Sequence, residues 1–278
     1  MNQLYRSIGI SKQAAHKYAK LQVSFNQKMY DLVIAADELR MEHPGCGVEK
    51  MYYTLKPNFI GRDRFVDTFM QLGYRIKRNK NYRKTTMSSS IYYPNIIQGL
   101  SLNRASMIWQ TDITYIRVGE NFYYAVFIID VYTREIVGYK VSDHMRAAAN
   151  IAALHMAFES HEAPLIHHSD RGSQYTCKEY LKVLELNNCS ISMGLCAQDN
   201  AYAERINRTI KEEYLAYWKP KNFTQLKQQV KKAVNNYNNK RPHYSLGRLN
   251  PFEYKQYCES LPKKQKPILT IFENENII

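Results

Sequence analysis

No stretch of this chain reaches the roughly 20 consecutive apolar residues of a membrane-crossing helix, and Met1–Ile10 holds no long apolar run. The sequence therefore predicts neither a membrane span nor a secretory leader, and points to the cytoplasm. Cysteine is scarce. The five, Cys46, Cys177, Cys189, Cys196 and Cys258, are odd in number and no two stand in C-x-x-C spacing. That argues against a disulfide framework and against a structural zinc site. Acid is in deficit: 25 Asp and Glu stand against 39 Lys and Arg, a net charge of +14, with a pI of about 9.4. A surplus of that size favours a polyanionic partner, most simply nucleic acid. Coding rich in A and T also favours Lys, Asn, Tyr and Ile, but it does not account for the clustering of the charge. No internal repeat and no low-complexity segment is present.

What is present falls into blocks. Residues 1–83 read as helical and basic. Ser11 is placed to cap a helix over "KQAAHKYAK". Leu32, Ile34, Ala35 and Leu39 recur near helical spacing in a second helix that His43-Pro44-Gly45 closes. "GVEKMYYTLKP" and "GRDRFVDTFMQLGY" follow as short helices, broken at Pro57 and Gly61. Short helices with tight turns suit a helix-turn-helix DNA-binding unit, and equally a plain helical bundle. Tyr74–Lys84, "YRIKRNKNYRK", carries six basic residues and no acid. Its Arg75, Lys77, Arg78 and Lys80 are candidates to track DNA phosphates. Residues 84–104 read as a basic and polar linker.

From Trp109 the period becomes strand-like. In "MIWQTDITYIRV", Ile108, Gln110, Asp112, Thr114 and Ile116 share one face, and "GEN" is a turn. "FYYAVFIID" is nearly continuous in apolar residues, as in a strand buried on both faces. "TREIVGYKVS" completes an antiparallel meander. A helix at "DHMRAAANIAALHMAF", a strand at "PLIHHSD", a helix after a Thr176–Glu179 capping box, a short strand at "SISM" and a helix capped by Asp199 or Asn200 follow. The order β-β-β-α-β-α-β-α predicts an α/β fold: a mixed five-stranded sheet flanked by helices, preceded by the small all-α region. The core is expected over 105–260, including C-terminal helices, with a tail over 261–278. In "FTQLKQQVKKAVNNYNN", Leu226, Val230 and Val234 form a packing stripe, and the basic end of that helix is expected to face DNA or a neighbouring subunit.

Three acids stand out by context. Asp112 lies mid-strand, where a carboxylate is unfavourable unless something pairs with it. Asp170 ends the strand "PLIHHSD", and functional residues gather at the carboxyl ends of strands in open α/β sheets. Glu204 lies on the first turns of "NAYAERINRTIKEEY". A strand Asp, a strand-end Asp and a helix Glu can converge, and carboxylate oxygens suit Mg²⁺ or Mn²⁺. Two such ions clamp the attacking and leaving oxygens of a phosphoryl displacement. Arg208 and Lys211 fall at i+4 and i+7 from Glu204, a face that would carry a DNA strand into the site. A Glu204–Arg208 helix salt bridge is the competing reading. Among the other candidates, Asp130 suits a turn. Glu212 and Glu213 lie about two turns beyond Glu204, too far to share its ion. His167 and His168 point to opposite faces, so at most one can look into the site, and a packed or substrate-contacting histidine is favoured over a metal ligand. No organic cofactor is expected.

The contexts "WQTDITY", "HSDRGSQY" and "DNAYAERINRTIKEEY" together resemble the integrase core of a DDE-type transposase on a ribonuclease-H-like fold. The chain is similar to the OrfB product of insertion-sequence family three. "HPGCGVEKMYYTLKP" resembles that family's N-terminal helix-turn-helix region and "YNNKRPHYSLGRLNPFEY" its C-terminal signature. There are 33 residues between Asp170 and Glu204, slightly fewer than is usual in the family, with the shortening in "GLCAQ". The resemblance implies that Asp112, Asp170 and Glu204 bind two Mg²⁺ or Mn²⁺ ions and catalyse DNA cleavage and strand transfer. It implies as partners the element ends and target DNA, an upstream OrfA-type protein by fusion or complex, and further copies of the chain on DNA, with the protein associated with the nucleoid. Two rival functions are a ribonuclease-H-like nuclease without strand transfer, which needs no helix-turn-helix, and a non-catalytic DNA-binding regulator, which needs no acidic triad.

Overall fold

The computed structural model describes residues 11–76, 93–195 and 197–271. The chain divides into two compact units, 1–77 and 78–278. The first is all helical: α1 (Lys12–Glu42), α2 (Val48–Leu55) and α3 (Arg62–Gln71). Ser11 caps α1, its Oγ accepting from the Ala14 N–H at 3.1 Å. The two helices expected between Ser11 and His43 are one. Residues 12–42 contain neither Gly nor Pro, so nothing interrupts the hydrogen-bond ladder. Leu32 and Ala36 of α1 pack on Met51 of α2 and on Phe65 and Phe69 of α3, whose rings stack at 4.1 Å.

The second unit is built on a mixed sheet in the order β4-β3-β2-β5-β6. The strands are β2 (Ile108–Val118), β3 (Asn121–Asp130), β4 (Ile136–Ser142), β5 (Ile166–Ser169) and β6 (Ser190–Met193). The meander β2-β3-β4 is antiparallel, while β5 joins β2, and β6 joins β5, in parallel. Helices α4 (Ala147–Ser160) and α5 (Lys178–Leu186) cover one face; there Trp109, Val126 and Ile128 meet Leu154, Ala157 and Leu184. Helices α6 (Ala201–Ile210) and α7 (Phe223–Asn239) cover the other, where Ile116, Phe127 and Ile129 meet Ile206, Ile210, Leu226 and Val230. The expected stripe of α7 is therefore the core side of that helix. A Cβ on Gly138 of β4 would stand 2.3 Å from the Ala153 carbonyl oxygen, so only glycine lets α4 approach this closely.

Parts of the expected linker and tail belong to this unit. β1 (Ser101–Leu102) pairs antiparallel with β7 (Leu269–Thr270). Ile97, Leu102 and Ile271 are buried with Ile108 and Val131. Helix α5 begins one residue later than a Thr176 cap requires: Cys177 is its N-cap and makes no side-chain cap bond, while Thr176 Oγ1 donates to the Ser173 carbonyl. A capping box does exist at α8 (Pro251–Ser260), between Asn250 and Glu253.

Candidate active site

Strand alternation turns Asp112 toward the α6 side of the sheet, the side to which Ile116 also points. Asp170 follows the last residue of β5, and β5 lies beside β2 with His168 opposite Gln110. Glu204 lies in the first turn of α6 and is exposed. The three acids thus reach one region from three elements. Burial pushes the Asp112 carboxyl up to about 7, and the negative charges of Asp170 and Glu204 push it the same way. The Asp170 carboxyl is raised by burial and is opposed by the Gly172 N–H, which donates to its Oδ1 at 2.9 Å. A Cβ at Gly172 would stand 2.9 Å from that same Oδ1, so glycine lets the backbone close on the carboxylate. Partial desolvation at the sheet also raises the Glu204 carboxyl, although the side chain is largely exposed.

Helix α6 is fastened to β2 by side-chain amides that sequence reasoning did not assign. Asn207 Nδ2 donates to Asp112 Oδ2 at 2.8 Å. Asn200 Nδ2 donates to the Thr111 carbonyl at 2.8 Å. Gln110, almost wholly buried, works at both ends. Its Nε2 donates to the Asp199 carbonyl, and its Oε1 accepts from the Tyr202 N–H, both at 3.2 Å. Asn is a poor mid-helix residue, so Asn207, one turn from Glu204, was the available signal. Asp199 and Asn200 do not cap α6 with their side chains, because those side chains are committed elsewhere: Asp199 Oδ2 accepts from the Leu195 N–H at 2.7 Å.

Lys211 is half-buried beside Asp112. Burial lowers its pKa and the Asp112 charge opposes that shift. Arg208 is about half exposed, with its Nε 3.9 Å from Glu212 Oε1 rather than committed to Glu204. Arg75 is exposed on the first unit; Lys77, Arg78 and Lys80 lie outside the described residues. His167 and His168 are buried, 3.2 Å from Tyr180 Oη and 2.9 Å from Ser192 Oγ. Burial pushes them down to about 3 and about 4, so both are neutral packing residues. Asp130 does hold a turn: Oδ1 accepts from the Thr133 N–H and Oγ1, and Oδ2 from the Ser106 N–H. Arg241 does not face outward at the end of α7. It is buried and donates from Nε and Nη2 to both oxygens of Glu213, at 2.7 and 2.8 Å.

As placed, no group of three or more His, Cys, Asp or Glu side chains among the described residues is set to hold a metal ion. The donor chemistry nonetheless suits one. Asp170 and Glu204 both act on Asp112 as like charges, a repulsion that a bound cation would offset, and Asn207 Oδ1 is left buried beside Asp112 without a partner, where it could accept from an ion's water shell.

Two models, each described as an integrase core domain, match residues 103–196 and 188–251. An uncharacterized 31 kDa protein of insertion element IS600 from Shigella sonnei is 33% identical over 221 residues, which is 76% of this chain and 81% of that one. The transposase for insertion sequence element IS904 from Lactococcus lactis is 31% identical over 191 residues, covering 66% and 74% of the two chains. The chain belongs to the insertion-sequence transposases. A chain of the simian T-cell lymphotropic virus intasome, solved in complex with PP2A regulatory subunit B56 gamma, is similar in fold, with a TM-score of 0.50 at 13% identity over 86% of this chain and 78% of that one. The transposase therefore carries an integrase-type catalytic core on the ribonuclease-H-like fold, and is an enzyme of the polynucleotidyl-transferase type. No helix among its described residues is long and apolar enough to cross a membrane.

Proposed function

We propose that Asp112, Asp170 and Glu204 are the catalytic carboxylates of a DDE-type reaction, and that the chain is the OrfB-type transposase of an insertion sequence of family three. The observation that carries this reading is the electrostatic coupling of Asp112 to both other acids across three separate elements. The three would hold Mg²⁺ or Mn²⁺, two ions in all, which supply charge neutralisation and an activated oxygen at a phosphodiester. The chain's own residues set the stage. Asn207 orients Asp112, the Gly172 N–H orients Asp170, and Gln110 with Asn200 fixes the helix that bears Glu204. In cleavage, water displaces the element's 3′ oxygen from phosphorus. In strand transfer, the freed 3′-hydroxyl attacks a target phosphodiester and exchanges one P–O bond for another. Arg208, Arg75 and the basic stretch with Lys77, Arg78 and Lys80 would bind phosphates, and the helical first unit would bind DNA. Homo-oligomers on DNA and an OrfA-type partner belong to the same reading, as does association with the nucleoid.

Asp170→Asn tests it. The variant should lose Mn²⁺-dependent joining of element-end DNA by more than 100-fold while binding that DNA at least as well as the parent chain, because one repelling charge is gone. Near-parental joining would remove Asp170 from the site, and joining by the unaltered protein in EDTA would remove the metal.

A further inference from the structure

The connection between α7 and α8 is built more firmly than a connector requires. Its root is Arg241, paired through two nitrogens with Glu213. Glu213 sits in a π-helical turn, Lys211–Leu215, that continues directly from α6. The His243 ring packs edge-on against Tyr237 at 4.7 Å. The loop also closes on itself. The His243 N–H donates to the Leu249 carbonyl at 3.0 Å, the Arg248 N–H to the His243 carbonyl at 2.8 Å, and Asn250 Nδ2 to the Asn239 carbonyl at 2.8 Å. Leu246 is buried beneath the tip.

On this framework Tyr244 stands 83% exposed, more than any other large apolar side chain among the described residues. A pliable loop could fold such a ring away, whereas this one holds it out in water. The backbone also brings a cation to the ring. Gly247 and Arg248 are both left-handed, at φ 63° and 71°, and the Arg248 guanidinium lies 5.7 Å from the Tyr244 centroid. For a non-glycine residue that conformation is unfavourable, a strain that tight loop packing sustains. An exposed ring flanked by an arginine matches a flat nucleobase with its phosphate better than an apolar protein surface. The neighbouring Lys240 and the chain's charge of +14 point the same way. The root also ties the loop to the helix that bears Glu204: Glu213, which holds Arg241, lies in the π-helical turn that continues that helix without a break.

We infer that Tyr244 and Arg248 form a stacking platform for an unpaired DNA base near the cleavage site, an inference that rests on the assignment of Asp112, Asp170 and Glu204. The platform gives the C-terminal signature "RPHYSLGRLNP" a division of labour: Arg241 and His243 anchor, Tyr244 and Arg248 engage DNA.

The experiment uses the full chain in EDTA, so that no strand is cut, with a duplex carrying a short single-stranded flank that contains 2-aminopurine. The same duplex fully paired is the comparison. The unaltered protein and Tyr244→Trp should quench the flank's fluorescence and prefer the flanked duplex. Tyr244→Ala should lose the quench and bind the flanked duplex about 5- to 100-fold more weakly, while its affinity for the paired duplex is kept. Its melting temperature should not change, since the removed ring is in water. Equal binding of the flanked duplex by Tyr244→Ala overturns the platform, as does an unaltered protein that never quenches. A Tyr244→Ala chain that binds DNA normally but sediments as a smaller species overturns it in favour of a protein contact. None of these results touches the carboxylate assignment, which fails separately if joining persists in EDTA.

Discussion

Asn207 Nδ2 donates to Asp112 Oδ2 at 2.8 Å, tying the helix of Glu204 to the strand of Asp112. This bond favours the charged carboxylate, yet Asp112 is still pushed up to about 7 because burial and two neighbouring acids outweigh it. Without a cation, the site works against the fold at neutral pH.

That opposition has a definite pH window. The Asp112 carboxyl titrates near its ordinary value of 3.8 when unfolded and near 7 when folded. Between those values the folded state binds the extra proton. The stabilising contribution is therefore complete below about pH 4 and lost as pH rises through 7. In EDTA, Asp112→Asn should melt close to the parent near pH 5 and roughly 5–10 °C above it at pH 8. Mn²⁺ at pH 8 should raise the Tm of the parent and not that of the variant. A melting difference that stays flat from pH 5 to 8 would refute the raised carboxyl.

Gln110 makes a second test of the link between β2 and α6. Gln110→Leu strands the Tyr202 N–H and the Asp199 carbonyl, a loss of about 1–3 kcal/mol for each buried group left unpaired. If the clasp sets Glu204 relative to Asp112, the Mn²⁺ concentration giving half of the maximal Tm increase should rise about tenfold. Gln110→Glu, which keeps the acceptor, should recover part of it. A purely structural role lowers Tm and leaves the Mn²⁺ midpoint in place.

Arg208 and Lys211 should separate. Arg208 is about half exposed, so Arg208→Ala should reduce the salt dependence of DNA binding by about one phosphate's worth, a slope change near 0.9. Lys211 is half-buried against Asp112. Lys211→Ala should instead push the Asp112 carboxyl further up and move the pH profile of melting to higher pH. Identical effects from the two substitutions would show that they form one uniform DNA track.

Gly138→Ala tests the packing of α4 on the sheet. The new methyl would meet the Ala153 carbonyl oxygen at 2.3 Å and the Ala157 Cβ at 3.0 Å. Neither neighbour is a flexible side-chain end, so α4 must move. A loss of about 1–3 kcal/mol in urea unfolding is expected, and an unchanged midpoint would mean that α4 sits further from β4.

The parts of the molecule legible in the sequence are those whose cause is local. The β2-β3-β4 meander follows from alternation in β2, a turn at Gly119 and the continuous apolar run of β3, and the Asp112, Asp170 and Glu204 contexts are each short. Where one reading failed locally, as with α1, the evidence was still local: turns had been assumed in a stretch without a breaker. The remaining misreadings have partners far along the chain. The role of Arg241 was not legible because Glu213, which buries it, lies 28 residues upstream. Ile97, Leu102 and Ile271 fall in the segments read as linker and tail, because their core exists only once β1 and β7 pair.

By itself, the sequence determined the element order of the sheet and its helices, and it singled out Asp112, Asp170 and Glu204 as the carboxylates we propose for catalysis, since composition, periodicity and side-chain type act over a few residues. Only the tertiary structure decided that Asn207, Gln110 and Asn200 hold those carboxylates together, and that Asp112 is charged at a disadvantage. Hydrogen bonds across elements, desolvation and like-charge repulsion depend on distances that exist only after β2, β5 and α6 have packed.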